Sequence, residues 1–403
     1  MESARRRLHD RVEAEAYVAS VCFKHGPPRL TGVELEWIVH YADDPRRPID
    51  AARLTAALGP YAPRTLNKES PQLPLPAGSP LTLEPGGQVE ISALPQSSLT
   101  ELFGAVTTDL GFLGELLAGA GFVLGDAATD QHRPPKRLLE TPRYAAMEQV
   151  FEPIGPHGLT MMCATAGLQV CLDVGEPEHL PARWAAVSAL GPVLVAAFAN
   201  SPTLDGRATG WASARMRAVL GTDPPRSAPS RIVADPATDW ARRVLDTPVL
   251  CVRGDGDHPG DRWVTPDGMS FADWLTGDRY RPPTTDDLDY HITTMFPPVR
   301  PHGYLEVRYL DAQCGDGWVT PVALLAALLS SPRTVDAVLD ACLPVGDRWL
   351  PAARDGLADR ALATAAGAML DLGARALPGM GLGHDLTEAI VADLDRLPQR
   401  STS

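Results

Sequence analysis

The chain lacks the short motifs that assign many enzymes to a chemistry. There is no Cys-x-x-Cys pair, and its six cysteines (Cys22, Cys163, Cys171, Cys251, Cys314 and Cys342) show no Cys/His ligand spacing, which excludes the common zinc and dithiol redox patterns. No His-Glu-x-x-His zinc helix and no Gly-x-Ser-x-Gly nucleophile elbow occur. Gly379, Gly381 and Gly383 do not follow a strand, so no dinucleotide fingerprint is supported. Positive charge is also scarce: 36 Lys and Arg face 50 Asp and Glu, a formal net charge of −14. That balance argues against a nucleic-acid backbone or an anionic membrane as partner. The long uncharged run Trp184 to Asn200 is broken by Gly191-Pro192 and falls short of the roughly 20 residues that span a bilayer. Arg5, Arg6 and Arg7 are followed by no apolar signal core. The expectation is a soluble protein whose cysteines stay as free thiols in a reducing cytoplasm.

What is present is ordinary globular material. The 403 residues are 44% hydrophobic and 21% charged, ample for a core. Apolar residues at Leu99, Leu102, Phe103, Val106, Leu110 and Leu113 have the period of a helix packed on a sheet. Pro142 to Phe151 reads as a helix opening on proline, and Leu180 to Ala199 as a largely buried one. Strands are expected at Arg29 to His40, Leu81 to Glu84, Gln88 to Ala93, Phe122 to Gly125, Met161 to Val174, His291 to Met295 and Tyr304 to Asp311. Strands and helices do not alternate regularly, which favours an α+β fold with an antiparallel sheet over a doubly wound parallel one. The segment 320–403 is mainly helical and rich in Ala and Leu, and the whole of 1–403 is expected to form one domain. Arg253 to Arg262 is a charged loop in which Asp255 and Asp257 resemble the start of a calcium loop without its later ligands.

Four acidic stretches carry most of the information. They are Gly32 to Trp37 (GVELEW), Leu83 to Ser92 (LEPGGQVEIS), Leu168 to Gly175 (LQVCLDVG) and Gly303 to Asp311 (GYLEVRYLD). In a strand, residues two apart share a face, so Glu34 pairs with Glu36 and Glu306 with Arg308. Any one pair reads most simply as a solvated strand face. Several carboxylates gathered on one face would suit a hard divalent cation, which takes oxygen ligands and couples carboxylates to phosphates. Glu84 and Glu90 flank Pro85-Gly86-Gly87, which is either an anion-approachable turn or a plain hairpin. Arg207, Arg215 and Arg217 surround glycines in a segment suited to carboxylate or phosphate capture, or to a basic solvated helix face.

Taken together, these blocks with Thr141 to Met147 (TPRYAAM), Met161 to Asp173, Ala199 to Arg217, Arg242 to Leu250 and His291 to Asp311 carry a family pattern. The chain resembles the glutamate–cysteine ligases of the plant and proteobacterial type, most closely the actinobacterial branch that feeds ergothioneine synthesis. The resemblance covers about Gly32 to Trp318. It implies a fold like glutamine synthetase, with a curved antiparallel sheet and flanking helices. It also implies ATP and Mg²⁺ as cofactors, L-glutamate and L-cysteine as substrates, and γ-glutamylcysteine formed through γ-glutamyl phosphate. Glu34, Glu36, Glu84, Glu90 and Glu306 take the places of metal-binding carboxylates, and Glu36 and Arg308 those of nucleotide-facing groups. Arg308 and Arg215 would be catalytic, while Arg143, Tyr144, Gln169 and Arg215 would meet the substrates. Arg243 stands where the family often has an aromatic contact for cysteine. Lys68 to Pro80 and Thr222 to Pro236 are candidate lids over the acyl phosphate. The protein is expected to be monomeric. A ligase of the same fold with another amine acceptor, or a non-catalytic metal- or amino-acid-binding protein, are the competing readings.

Overall fold

The computed structural model describes residues 6–253 and 263–400; the calcium-loop reading of Asp255 and Asp257 falls outside them. Six strands form the main sheet: β1 (Thr31–Trp37), β2 (Leu81–Leu83), β3 (Val89–Gln96), β4 (Gly167–Leu172), β5 (Val299–Pro301) and β6 (Leu305–Asp311). Their order is β2-β3-β1-β4-β6-β5, and every neighbouring pair is antiparallel. The α+β expectation therefore holds. β1 sits inside the sheet, and its alternation decides the architecture: Val33, Leu35 and Trp37 are buried in the core, so Glu34 and Glu36 face the other way.

The apolar face is covered by helices. With α1 (Arg11–Cys22) leading the chain, α2 (Leu99–Gly119) packs against β3 and β1. Its Ser98 side chain caps the Glu101 amide, and Leu99, Leu102, Phe103, Val106, Leu113 and Leu117 are buried. The short helices α3 (Pro142–Phe151) and α4 (His157–Cys163) precede β4. Next, α5 (Leu180–Ala197) is apolar almost all round and buried to match. α6 (Ala214–Thr222), α7 (Pro236–Asp246) and α8 (Thr285–Ile292) follow, then α9 (Val319–Leu328), α10 (Pro332–Cys342), α11 (Trp349–Asp355), α12 (Arg360–Ala376) and α13 (His384–Arg400). The C-terminal region is helical as expected, and α10, α11 and α12 stack on α5. Two helical segments, Leu99–Gly119 and Pro177–Ala197, are long and apolar enough to cross a membrane by length and composition, and 89% of the second is buried within the protein. All six cysteines are free thiols.

Three expectations need correction. Met161 to Cys163 are helical, the end of α4, and β4 begins only at Gly167; a short apolar run cannot by itself separate helix from strand. His291 to Met295 is not a strand but the end of α8 and the turn after it. The Thr293 and Thr294 hydroxyls donate to the Tyr290 and His291 carbonyls and close the helix. Lys68 to Pro80 is no lid. The amides of Ala77 and Ser79 donate to the buried Asp109 carboxylate of α2, at 2.6 and 3.1 Å, which pins the loop to the helical layer.

Candidate active site

The polar face of the sheet follows from strand register. Glu36 stands opposite Glu90, and Glu34 lies between Ser92 on β3 and Gln169 on β4. Thr82 faces Glu90 from β2, while Glu306 faces Cys171 on one side and Arg300 on the other. Over this face lies a cavity of about 260 Å³ lined by Glu34, Glu84, Glu90, Arg143, Tyr144, Gln169, Arg300 and Arg308, and closed by Met161, Met162, Thr293 and Phe296. A larger cavity of about 920 Å³ opens between α6, residues 228–232 and residues 343–351. It is mostly apolar and holds none of the glutamates. The chemistry points to the smaller one.

At one end, carboxylate oxygens of Glu36, Glu84 and Glu90 lie within 4.8 Å of one another. The backbone sets this up. Glu84 closes the hairpin through bonds between the Glu84 amide and Gln88 carbonyl and between the Gly87 amide and Glu84 carbonyl, both 2.9 Å. Gly86 packs so tightly on the Cys163 carbonyl that a Cβ there would lie 2.1 Å from its oxygen. The turn is thus a packed hairpin, and Gly86 lets α4 come close to the sheet. Glu36 accepts from the Gly167 amide at 2.7 Å and the Gln169 amide side chain at 2.9 Å. Glu90 accepts from the Thr82 and Ser92 hydroxyls, each at 2.8 Å. Among the described residues the Glu84 carboxylate takes no hydrogen bond. Burial first, then the charges of Glu90 and Glu36, push the Glu84 carboxyl well up. Burial and Glu90 raise Glu36 likewise. Glu34 is pushed up to about 8 by burial, Glu90 and Glu306. Crowded oxygen ligands that resist ionising together fit a hard divalent cation.

At the other end the sign reverses. Glu306 is buried, which alone would raise it, but Arg300 and Arg308 outweigh burial and bring it to about 2. Arg300 grips it with two bonds, at 2.5 and 3.0 Å, and Arg308 stands 3.4 Å away. Arg308 also donates to the Gln169 carbonyl oxygen, so Gln169 joins Arg308 to Glu36. Arg215 does not line the cavity. Its buried guanidinium donates to the Arg308 carbonyl at 2.8 Å and lies 3.8 Å from Asp311. Gly167 makes room for it, since a Cβ there would lie 2.3 Å from the guanidinium. Asp311 in turn accepts from the Ser201 and Ser213 hydroxyls at 2.7 and 2.9 Å.

Arg143 and Tyr144 enter from the first turn of α3, where Thr141 caps the Tyr144 amide. Arg143 donates to both the hydroxyl and the carbonyl of Thr293, each at 2.9 Å. Arg143 and Arg253 both lie over the Tyr290 ring, 5.1 and 4.7 Å from its centroid. Burial, with Glu84 next, raises the Tyr144 phenol. Arg243 points elsewhere, donating to the Pro225 and Ala228 carbonyls and the Ser230 hydroxyl. The stretch Thr222 to Pro236 is therefore tied down against α7, not spread over the cavity. Sequence reading missed Arg300, Thr293, Tyr290 and Asp311. Nothing local marked them; the place of Arg300 opposite Glu306 follows from the β5–β6 pairing.

Comparison with known proteins agrees with the motif blocks. The family model described as "Glutamate-cysteine ligase family 2(GCS2)" matches residues 30–392. The glutamate–cysteine ligase EgtA of Mycobacterium tuberculosis is 38% identical over 396 residues, covering 96% of this chain and 88% of that protein. EgtA of Mycolicibacterium smegmatis is 38% identical over 373 residues, covering 91% and 84%. A chloroplastic glutamate–cysteine ligase B of Oryza sativa is 32% identical over 277 residues, 64% of this chain and 53% of its own. Among solved structures, a glutamate–cysteine ligase of Francisella tularensis in complex with AMP aligns at TM-score 0.47 and 12% identity, over 94% of this chain and 90% of that one. The chain belongs to glutamate–cysteine ligase family 2.

Proposed function

We propose that the protein joins the γ-carboxylate of L-glutamate to the amine of L-cysteine with hydrolysis of ATP, giving γ-glutamylcysteine, ADP and phosphate, and that it serves ergothioneine synthesis. The observation that carries the reading is the three-carboxylate end of an arginine-lined cavity in a chain 38% identical to EgtA over nearly its whole length. In this reading Glu36, Glu84 and Glu90 hold Mg²⁺, with Glu34 beside them. The bound cation would neutralise phosphate oxygens and the charge that develops on them during transfer.

Residues of the chain do the rest. Arg308 faces the transferred phosphoryl group, held in place by Gln169 and by the carbonyl bond from Arg215. Arg215 acts behind Arg308 and supplies positive charge near Glu36. Arg143, anchored on Thr293 and beside Arg253 and Tyr290, receives the α-carboxylate of an amino acid. An oxygen of the glutamate γ-carboxylate attacks the γ-phosphorus of ATP and ADP leaves, giving γ-glutamyl phosphate. The free amine of cysteine then attacks the acyl carbon, phosphate departs, and the amine proton is lost. Positioning and charge stabilisation suffice for both steps, consistent with the missing nucleophile motif.

The test is ADP release measured with an amine-acceptor panel, with the product identified by mass. Release that requires glutamate and cysteine together, with a γ-linked dipeptide formed, is expected. Equal turnover with other amines would replace cysteine as the acceptor, and the displacement of Arg243 from the cavity makes that panel worth running.

A further inference from the structure

The turn Thr293 to Phe296 supplies an unusual share of the cavity's order. Thr293 holds both terminal nitrogens of Arg143, the Met295 carbonyl accepts from Arg300 at 3.2 Å, and Phe296 lines the cavity itself. What fixes this turn lies outside the cavity. Arg226 is fully buried and directs three sides of its guanidinium to separate acceptors. Nε donates to Asp223 at 2.8 Å, Nη1 to the Thr294 hydroxyl at 2.8 Å, and Nη2 to the Pro248 carbonyl. Its own carbonyl accepts the Phe296 amide at 3.1 Å. One residue thus grips the turn by a side chain and by the backbone.

Thr293 and Thr294 play matched parts. Each hydroxyl donates to a carbonyl in the last turn of α8, at 2.7 Å, and each accepts from a different arginine. Thr293 takes the cavity arginine and Thr294 the buried one. We propose that Arg226, acting through Thr294, is a positioning residue that sets the orientation of Arg143 and hence the affinity for the amino-acid substrate. This rests on Arg143 being the amino-acid clamp. A guanidinium suits the task because its planar fork reaches separated acceptors that a single ammonium cannot. A buried cation bonded on three sides also leaves the turn few alternative positions.

Thr294→Val keeps the side-chain shape and removes the hydroxyl acceptor for Arg226, leaving only the Thr294 carbonyl at 3.5 Å. The expected result is a rise of about tenfold in KM for glutamate with kcat and KM for ATP nearly unchanged, the signature of binding lost equally from ground state and transition state. Thr294→Ser should restore the wild-type value. In an Arg143→Gln background, Thr294→Val should add nothing further, because both act through one group. An equal additional rise in that background, or a uniform loss across all substrates, overturns the proposal. Should Thr294→Val fail to fold, Thr294→Ala and Arg226→Lys give the same readings. A wild-type enzyme without glutamate-dependent ADP release would instead overturn the ligase reading. Independently of any substrate, a crystal structure of Thr294→Val must show Arg143 displaced from Thr293, and an unmoved Arg143 overturns the positioning role.

Discussion

Glu84 lines the cavity and Glu306 lies buried against the Arg300 and Arg308 that line it; they are the same residue type, and burial pushes both toward neutrality. They end far apart. Glu84 meets Glu36 and Glu90 and is driven well up, whereas Glu306 meets Arg300 and Arg308 and falls to about 2. One end of the cavity is therefore short of positive charge and the other is internally balanced. The difference separates a cluster of like charges from a carboxylate that holds two arginines. A buried ion pair with good geometry is strongly weakened by losing one partner, while a cluster of like charges is relieved by losing a member.

The sharpest way to break this contrast is to neutralise one residue at each end. Glu84→Gln should lower turnover by at least about a hundredfold, beyond what outer-sphere changes at metal sites usually do, yet leave the chelator-treated protein equally or more resistant to heat. Glu306→Gln should also impair turnover, but it strands Arg300 in a buried site and should lower unfolding free energy by about 3–5 kcal/mol. ADP-release kinetics and denaturant unfolding in a chelator test both. Equal destabilisation by the two substitutions would abolish the distinction.

The pH dependence follows the same division. Glu34, raised to about 8, Glu36 and Glu84 have folded values above that of an ordinary carboxylate. Stability linked to such groups is complete below about 4.5 and is lost as pH rises through the folded value. Without divalent cations the melting temperature should therefore fall between about pH 5 and 8. Saturating Mg²⁺ should flatten that slope, and its binding should release protons, because ligands bind as anions. Calorimetry in buffers of different ionisation enthalpy counts those protons. Glu306 has the opposite sign: its contribution is present above about 4.5 and fades as pH drops toward 2.

Much of this was legible beforehand because strand alternation is a local rule. Glu34, Glu36 and Glu306 had to share a face once β1 and β6 were recognised, and the family resemblance joined Glu84 and Glu90 to them. The corrections have a different origin. Whether Thr293 and Thr294 extend a strand or close a helix depends on carbonyls of Tyr290 and His291 and on two arginines distant in sequence. That Lys68 to Pro80 is pinned depends on a single buried aspartate on α2. Such contacts leave no periodic trace. The pairing of Arg300 with Glu306 lay between: its position opposite Glu306 follows only after the β5–β6 register is known.

The smallest expected effect probes how the cation-short end is held open. Thr82 and Ser92 each donate one hydroxyl to the same Glu90 oxygen at 2.8 Å, so both orient that carboxylate without adding charge. Removing one leaves the other in place. Ser92→Ala should therefore weaken Mg²⁺ binding by roughly tenfold, the lower range for outer-sphere partners of a ligand, and Thr82→Val by a similar factor. The double variant should lose more than the product of the two, because only then is Glu90 free to rotate. Titration of Mg²⁺ by calorimetry reads all three. Neither single change should alter unfolding by more than about 1.5–3 kcal/mol, the range for a hydrogen bond to a charged group. Strict additivity would mean that Glu90 is positioned by its strand alone, and that the hydroxyls merely satisfy a carboxylate already in place.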